Sequence, residues 1–321
     1  MDKHFDTTST ADQVLADTDL HGRRYLVTGM SSGVGAETSR ALAARGGSVV
    51  GVVRDIAKAA DTIKEVEQAA ELGGGSVEVV EADLASLATV RSCAEALLRD
   101  GRGFDAIIAN AGVMATPAGR TVDGFETQFG TNHLGHFVLV NRIAPLLTAG
   151  GRLVSLSSNG HRGADVDLDD PNFERAEYDP WISYGRSKTA NSLFAVEFDR
   201  RHRGRGIRAS AVMPGTAMTP LMRNLSEEAV SEVFASIDSD RADAGREPLQ
   251  LKSVPQMAAT SVWAAVVADA DEIGGKYLED CRIADIDDLP GIREGVKSYA
   301  VDPERARLLW AKSEELVGET F

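Results

Sequence analysis

Cysteine is scarce: Cys93 and Cys281 are the only two in 321 residues, far apart and without the spacing of a metal site. That excludes a disulfide framework and a zinc cluster, and it fits a reducing cytoplasm. Positive charge is also short, with 34 Lys and Arg against 49 Asp and Glu and a net charge of −15. Nucleic-acid binding needs a basic footprint and an anionic membrane surface attracts basic residues, so both kinds of partner are excluded. No apolar run reaches the length of a membrane span. The first six residues (Met-Asp-Lys-His-Phe-Asp) are polar and acidic, unlike a signal peptide. Tandem repeats and low-complexity tracts are absent as well. The expectation is a soluble cytoplasmic protein, and a 43% hydrophobic content is ample for its core.

What is present is an alternation of strands and helices. Strand-like runs fall at 24–28, 48–53, 77–80, 104–109, 152–157, 207–212 and 275–278. Helical patterns follow at 36–45, 56–72, 86–99, 126–147, 184–203, 255–268 and 303–317, with Gly46-Gly47 and Gly73 to Gly75 as stops. Alternation of this kind gives an α/β fold, a doubly wound parallel sheet of about seven strands flanked by helices. Residues 1–20 read as an N-terminal appendage with a capping box at Thr10 and Gln13 and a short helix to about Leu15. Residues 21–285 read as one catalytic domain with insertions at 159–183 and 217–252, and 286–321 as a tail with one helix. Ligands of such folds bind at the carboxyl ends of the strands. The unusual clusters of this chain all sit there.

After the first strand come Gly29, Ser31, Ser32, Gly33, Val34 and Gly35. The glycines allow a sharp turn and close approach of a pyrophosphate, and the next helix offers its free N–H groups to the phosphates. Without a ligand the same residues would make a tight strand-to-helix turn. At the end of the second strand an acid would read the adenosine ribose and an arginine would accept a 2′-phosphate. Val53 holds the acid position and Arg54 follows, with Ser31 and Ser32 as further donors, which favours NADP(H); Asp55 nearby keeps NAD(H) possible. His133 and His136 stand three apart with no third ligand and read as packing or hydrogen-bonding residues, and His161 as a histidine of a surface loop, the alternative being one that lines the substrate mouth. Tyr184 and Lys188, four apart on one helix face, pair a phenol with an ammonium that favours the phenolate. Ionising a phenol of pKa about 10 near neutral pH takes a shift of roughly 3 units, about 4 kcal/mol, to which a bound pyridinium cation would contribute.

Together Thr28-Gly-x-x-x-Gly-x-Gly35, Asn110-Ala-Gly112, Ser158, Tyr184-x-x-x-Lys188 and Pro214-Gly215 resemble the short-chain dehydrogenase/reductase family over roughly residues 20 to 220. Thr121-Val-Asp-Gly-Phe-Glu and Asn132-His-Leu-Gly-His-Phe resemble its retinol dehydrogenase and WW-domain oxidoreductase subgroup. The resemblance implies a Rossmann-type single domain and an enzyme that interconverts an alcohol and a carbonyl by hydride transfer. It implies Tyr184 as general acid/base, Lys188 as the group that lowers its pKa and bonds the nicotinamide ribose, and Ser158 as the holder of the substrate oxygen. Asn132 would keep a helix locally open and anchor a water relaying protons to Lys188. Asp83 and Leu84 would contact adenine, Asn110, Ala111 and Gly112 would line the cofactor cleft, and Pro214, Gly215 and Thr216 would grip the carboxamide. Family members often pair through helices near 126–148 and 181–203, so a homodimer or homotetramer is implied, with the tail after Asp285 either capping the pocket or blocking one interface. The 26 positions between Ser158 and Tyr184 hold an insert that should shape the substrate mouth. Trp181, Met218, Leu221, Met222 and Leu225 suggest an apolar pocket and a lipophilic substrate. A non-catalytic NADP-sensing or partner-binding protein on the same fold would lack one of the four reactive residues, all of which are present. A dehydratase or epimerase of the same fold would show no net change in cofactor absorbance.

Overall fold

The computed structural model describes residues 4–217, 219–222, 224, 226–243, 245–291 and 294–321. Among the described residues eight strands form one sheet in the order β3-β2-β1-β4-β5-β6-β7-β8. They are β1 (Arg24–Thr28), β2 (Ser48–Val53), β3 (Ser76–Glu81), β4 (Phe104–Ala109), β5 (Leu147–Leu156), β6 (Arg208–Met213), β7 (Tyr277–Glu279) and β8 (Arg282–Ile283). The seven expected strands are all present and pair in parallel. The eighth returns antiparallel on β7 through Asp280 and Cys281, both at positive φ, and two residues are too few to leave a pattern in the sequence. The helices are α1 (Ala11–Val14), α2 (Gly33–Ala43), α3 (Ala60–Gly73), α4 (Leu87–Asp100), α5 (Thr127–Phe129), α6 (Gly135–Ile143), α7 (Pro180–His202), α8 (Glu227–Asp243), α9 (Val254–Val262), α10 (Ala270–Ile273) and α11 (Pro303–Val317).

Successive residues of a strand face opposite sides of a sheet, and the core divides accordingly. Tyr25, Val27, Val49 and Val53 pack under α1, α2, α3 and α9. Leu26, Val50, Ile107 and Leu153 pack under α4, α6, α7 and α11. The expected capping box closes α1 at Thr10 and Gln13, and Ala11, Val14 and Leu15 are fully part of the first layer. On the other side α11 lies on α6 and α7. Its Trp310 ring stands 5.0 Å from Phe137 and 5.8 Å from Phe194, with the Arg201 guanidinium 4.1 Å above it.

The expected continuous helix over 126–147 is broken twice. α5 passes through a wider π turn, Gly130–Leu134, before α6 resumes the ordinary pitch. α6 then stops at Ile143, since Pro145 lacks an N–H and cannot continue a helix, and β5 begins at Leu147. Among the described residues no helix is long and apolar enough to cross a membrane. None of them assembles three His, Cys, Asp or Glu side chains into a metal site. The sheet order reverses between β1 and β4, and a crevice opens at their carboxyl ends.

Candidate active site

The turn after β1 is built by glycine. Gly29 sits at φ 75° against Ala111, and a side chain on Gly35 would fall 2.3 Å from the Gly29 carbonyl oxygen and 2.4 Å from Asn110 Nδ2. Only hydrogen fits at 35, so β1, the first turn of α2 and the end of β4 close on one another. Asn110 secures the contact by donating Nδ2 to the Thr28 carbonyl at 2.8 Å. Gly33 opens α2 with free space around its Cα, and Ser32, its N-cap, makes no capping bond with its side chain. The first-turn N–H groups of α2 therefore face a cradle shaped for a phosphate group.

The cleft at this end of the sheet has a volume of about 490 Å³. Gly29, Ser31, Ser32, Gly33, Val34 and Arg54 line one end, Asp83, Leu84, Asn110, Ala111 and Gly112 the floor, and Pro214, Gly215 and Thr216 the far wall. Ser158, Tyr184 and Lys188 line it as well. Of the candidate residues, Gly35 and Asn132 stand behind the lining. Asp55 turns away: its carboxylate pairs with Lys58 at 3.0 Å, which holds it below the usual carboxylate range. Arg54 is exposed and carries no ion pair among the described residues.

α7 presents Tyr184 and Lys188 one turn apart. Both are buried. Lys188 Nζ donates to the Leu156 carbonyl at 3.0 Å and lies 5.7 Å from the centre of the Tyr184 ring. Burial pushes the Tyr184 phenol up to about 12, against a lowering hydrogen bond from Ser158. Burial also pushes the Lys188 ammonium down to about 8. The protein alone thus keeps the phenol protonated at neutral pH, because desolvation of the phenolate outweighs what its neighbours return.

Asn132 occupies the π turn. Its Oδ1 accepts from Val113 N at 2.8 Å, and its Nδ2 donates to Val113 O and Ser187 Oγ, both at 2.9 Å. The Asn132 carbonyl is met by His136. Thr28 Oγ1 accepts from Asn110 N and Ala111 N, so its proton goes to His136 Nε2 at 2.8 Å. His136 Nδ1–H is then the donor to Asn132 O at 2.8 Å. Burial pushes His136 down to about 4 and keeps this clasp neutral. His133 bonds Ser313 Oγ at 2.7 Å. Both histidines are the hydrogen-bonding residues that their spacing suggests.

Two expectations need correction. His161 is no surface histidine: it is fully buried, with Nδ1 2.7 Å from the Ser158 carbonyl, and what covers it comes from residues 297–299. Trp181 is 38% exposed and stands outside the cleft lining, which among the described residues includes none of 159–183, so the insert does not shape the mouth as expected. Met218 and Leu225 lie outside the described residues. Leu221 and Met222 do line the cleft and pack with Met114, Ala115 and Tyr184. Sequence reasoning missed Met114, Thr131, Thr219 and Met257 in that wall. Met114 stands two residues after Asn110-Ala-Gly112, and that proximity is the one signal that was there to find.

The family model described as short chain dehydrogenase matches residues 23–230. The chain belongs to that family. It is an oxidoreductase acting on an alcohol or a carbonyl with a nicotinamide cofactor. It is 42% identical over 303 residues to a probable oxidoreductase of Streptomyces lividans, covering 91% of this chain and 96% of the relative. It is also 34% identical over 301 residues to human retinol dehydrogenase 13, covering 93% and 86%, so the resemblance to the retinol dehydrogenase group holds. A similar solved structure is a short chain dehydrogenase from Burkholderia cenocepacia in complex with NADP, at TM-score 0.63 and 25% identity, covering 82% of this chain and 97% of that one.

Proposed function

We propose that this short-chain dehydrogenase/reductase uses NADP(H) to reduce a lipophilic ketone or aldehyde, with Tyr184 as the proton donor. The observation that carries the reading is the meeting of a buried phenol, the Ser158 hydroxyl and the Lys188 ammonium beside the apolar patch of Met114, Leu221 and Met222. Gly29, Ser31, Ser32, Gly33, Val34 and Gly35 would hold the diphosphate, Asp83 and Leu84 the adenine, and Pro214, Gly215 and Thr216 the carboxamide. A bound nicotinamide supplies the hydride.

The chain's own residues do the rest. Ser158 donates a hydrogen bond to the carbonyl oxygen, where negative charge develops. Tyr184 delivers its proton to the same oxygen, and a phenol kept protonated well above neutral pH suits that direction. Lys188, still mostly charged at neutral pH, stabilises the phenolate left behind. Asn132 holds the Val113 backbone and Ser187 in place around Tyr184. Arg54, Asp83 and Lys188 are the charged side chains among the described lining residues, none of them in the patch formed by Met114, Leu221 and Met222. An uncharged substrate follows. A homodimer or homotetramer of this chain would have to pair through surface other than the face of α7 that α11 already covers.

Fluorescence titration with NADPH and NADH, wild type beside Arg54→Ala, tests the cofactor reading. Tighter binding of NADPH, with the preference lost in the variant, is expected. Equal affinity for both cofactors, or no effect of Arg54→Ala, would sink the 2′-phosphate assignment.

A further inference from the structure

Among the described residues none of the tail after Asp285 lines the cleft; part of it instead holds His161, the histidine bonded to the Ser158 carbonyl. Ser158 is extended (φ −167°, ψ 158°) and opens a tight turn, Asn159–Gly163. Its Oγ accepts from Gly160 N at 3.1 Å. Its carbonyl accepts from the His161 backbone N–H at 3.0 Å and from His161 Nδ1 at 2.7 Å. The turn lies directly on Tyr184, since a side chain on Gly160 would fall 2.8 Å from that ring. A small displacement of the turn would therefore move the Ser158 hydroxyl relative to the phenol.

The histidine is locked from the tail. Lys297 donates its backbone N–H to His161 Nε2 at 3.1 Å. An amide can only donate, so Nε2 carries no proton and Nδ1–H is the donor to Ser158. Tyr299 donates its hydroxyl to the His161 carbonyl at 2.6 Å, and the Tyr277 ring packs 4.9 Å from the imidazole with its hydroxyl 3.2 Å from Nδ1. The next residue, Arg162, has a fully buried side chain that donates to the carbonyls of Leu289, Gly291 and Gly295. Lys297 Nζ closes the loop on Leu289 O at 2.6 Å.

We propose that Leu289, Gly291, Gly295, Lys297 and Tyr299 of the tail form a positioning element for Ser158, acting through a neutral His161 held as its Nδ1–H tautomer. This rests on the reading of Ser158 as the hydrogen-bond donor to the substrate oxygen. Burial pushes His161 down to about 4; the Ser158 carbonyl pulls the other way, and the nearby Arg162 and Lys297 charges reinforce the lowering. The His161 ring is therefore uncharged at neutral pH.

The test uses the full chain with His161→Phe, which keeps a ring and removes both hydrogen bonds. His161→Asn restores a side-chain donor three residues after Ser158, and Tyr299→Phe removes a single hydroxyl. Hydrogen exchange over residues 157–164 and nitrogen NMR of His161 need no substrate. We expect a neutral Nδ1–H signature in the wild type down to about pH 5. Exchange in that segment should speed at least about tenfold in His161→Phe, and less in Tyr299→Phe. With NADPH and a panel of aromatic ketones and aldehydes, kcat should fall at least about tenfold in His161→Phe while the NADPH Kd changes less than about twofold, and His161→Asn should recover most of kcat. A role in folding alone would lower kcat and cofactor affinity together and give Asn no advantage over Phe. Wild-type exchange in both His161→Phe and Tyr299→Phe would overturn the clamp. A wild type that reduces no carbonyl would instead overturn the reading of Ser158, and the exchange and NMR results would still decide the clamp.

Discussion

Single residues do different work on the two sides of the cleft, and glycine 35 shows how little room there is. Its hydrogen faces the Gly29 carbonyl and the Asn110 amide at distances no methyl group can occupy. Gly35→Ala must push the first turn of α2 off β1. Overpacking of this kind costs about 1–3 kcal/mol, so the thermal midpoint should drop and NADPH affinity should fall at least about tenfold, or about 1.4 kcal/mol. Gly33→Ala is the matched control for stability: at φ 58° it carries only backbone strain, with nothing near its Cα to clash. Calorimetry of the pair, with cofactor titration of Gly35→Ala, checks this. Equal behaviour of the two variants would mean that the close approach at Gly35 is not what shapes the cradle. The same scale shows the limit of reading residues from sequence. Tyr184 and Lys188 are legible because their spacing puts them on one helix face. His161 is not, since its burial depends on Lys297 and Tyr299, more than a hundred positions away.

At the scale of elements, the strands and helices follow from apolar periodicity and the glycine stops, and the expected strand ends hold the cleft. Helix α11 is found over the 303–317 span that its pattern marks, with Asp302 capping it through Glu304 N and Arg305 N. The π turn at Asn132 is another matter. π and α turns draw on the same residues; here the Asn132 carbonyl is held by His136, itself fixed by Thr28 on β1. A tertiary contact decides that local geometry. The early stop of α6 at Pro145 went unread, and the start of β5 at Leu147 was obscured by the exposed residues Thr148, Ala149 and Gly150 between it and the apolar part of the strand. β8 escaped because its two residues owe their pairing to the hairpin from β7.

At the scale of the whole molecule, α11 is the outer support of the helix that carries Tyr184 and Lys188. Trp310, 2% exposed, fills the space between Phe137 of α6 and Phe194 of α7. Trp310→Ala should destabilise the fold by about 3–5 kcal/mol, read as a shifted midpoint in denaturant. An unchanged midpoint would show that α11 is dispensable to the core. Charge is distributed on the same scale. The reactive end of the cleft keeps one buried ammonium beside one buried phenol, and burial moves their ionisations apart, to about 8 and about 12. A phenol above its ordinary value is protonated through neutral pH, whereas the ammonium is lost as pH rises through about 8. Reduction should therefore be flat below pH 8 and decline above it.

The central claim is that Tyr184 protonates a carbonyl oxygen during NADPH-dependent reduction. The most direct measurement is NADPH absorbance against a panel of lipophilic ketones and aldehydes, wild type beside Tyr184→Phe, followed from acid to alkaline pH. One NADPH should be consumed per alcohol formed, with a decline in kcat/KM above about pH 8 as Lys188 loses its proton. Loss of the phenol should lower turnover by about a hundredfold or more, the usual range for a positioned acid, with NADPH affinity retained. Turnover in Tyr184→Phe equal to wild type, or product formed with no net consumption of NADPH, would contradict the account.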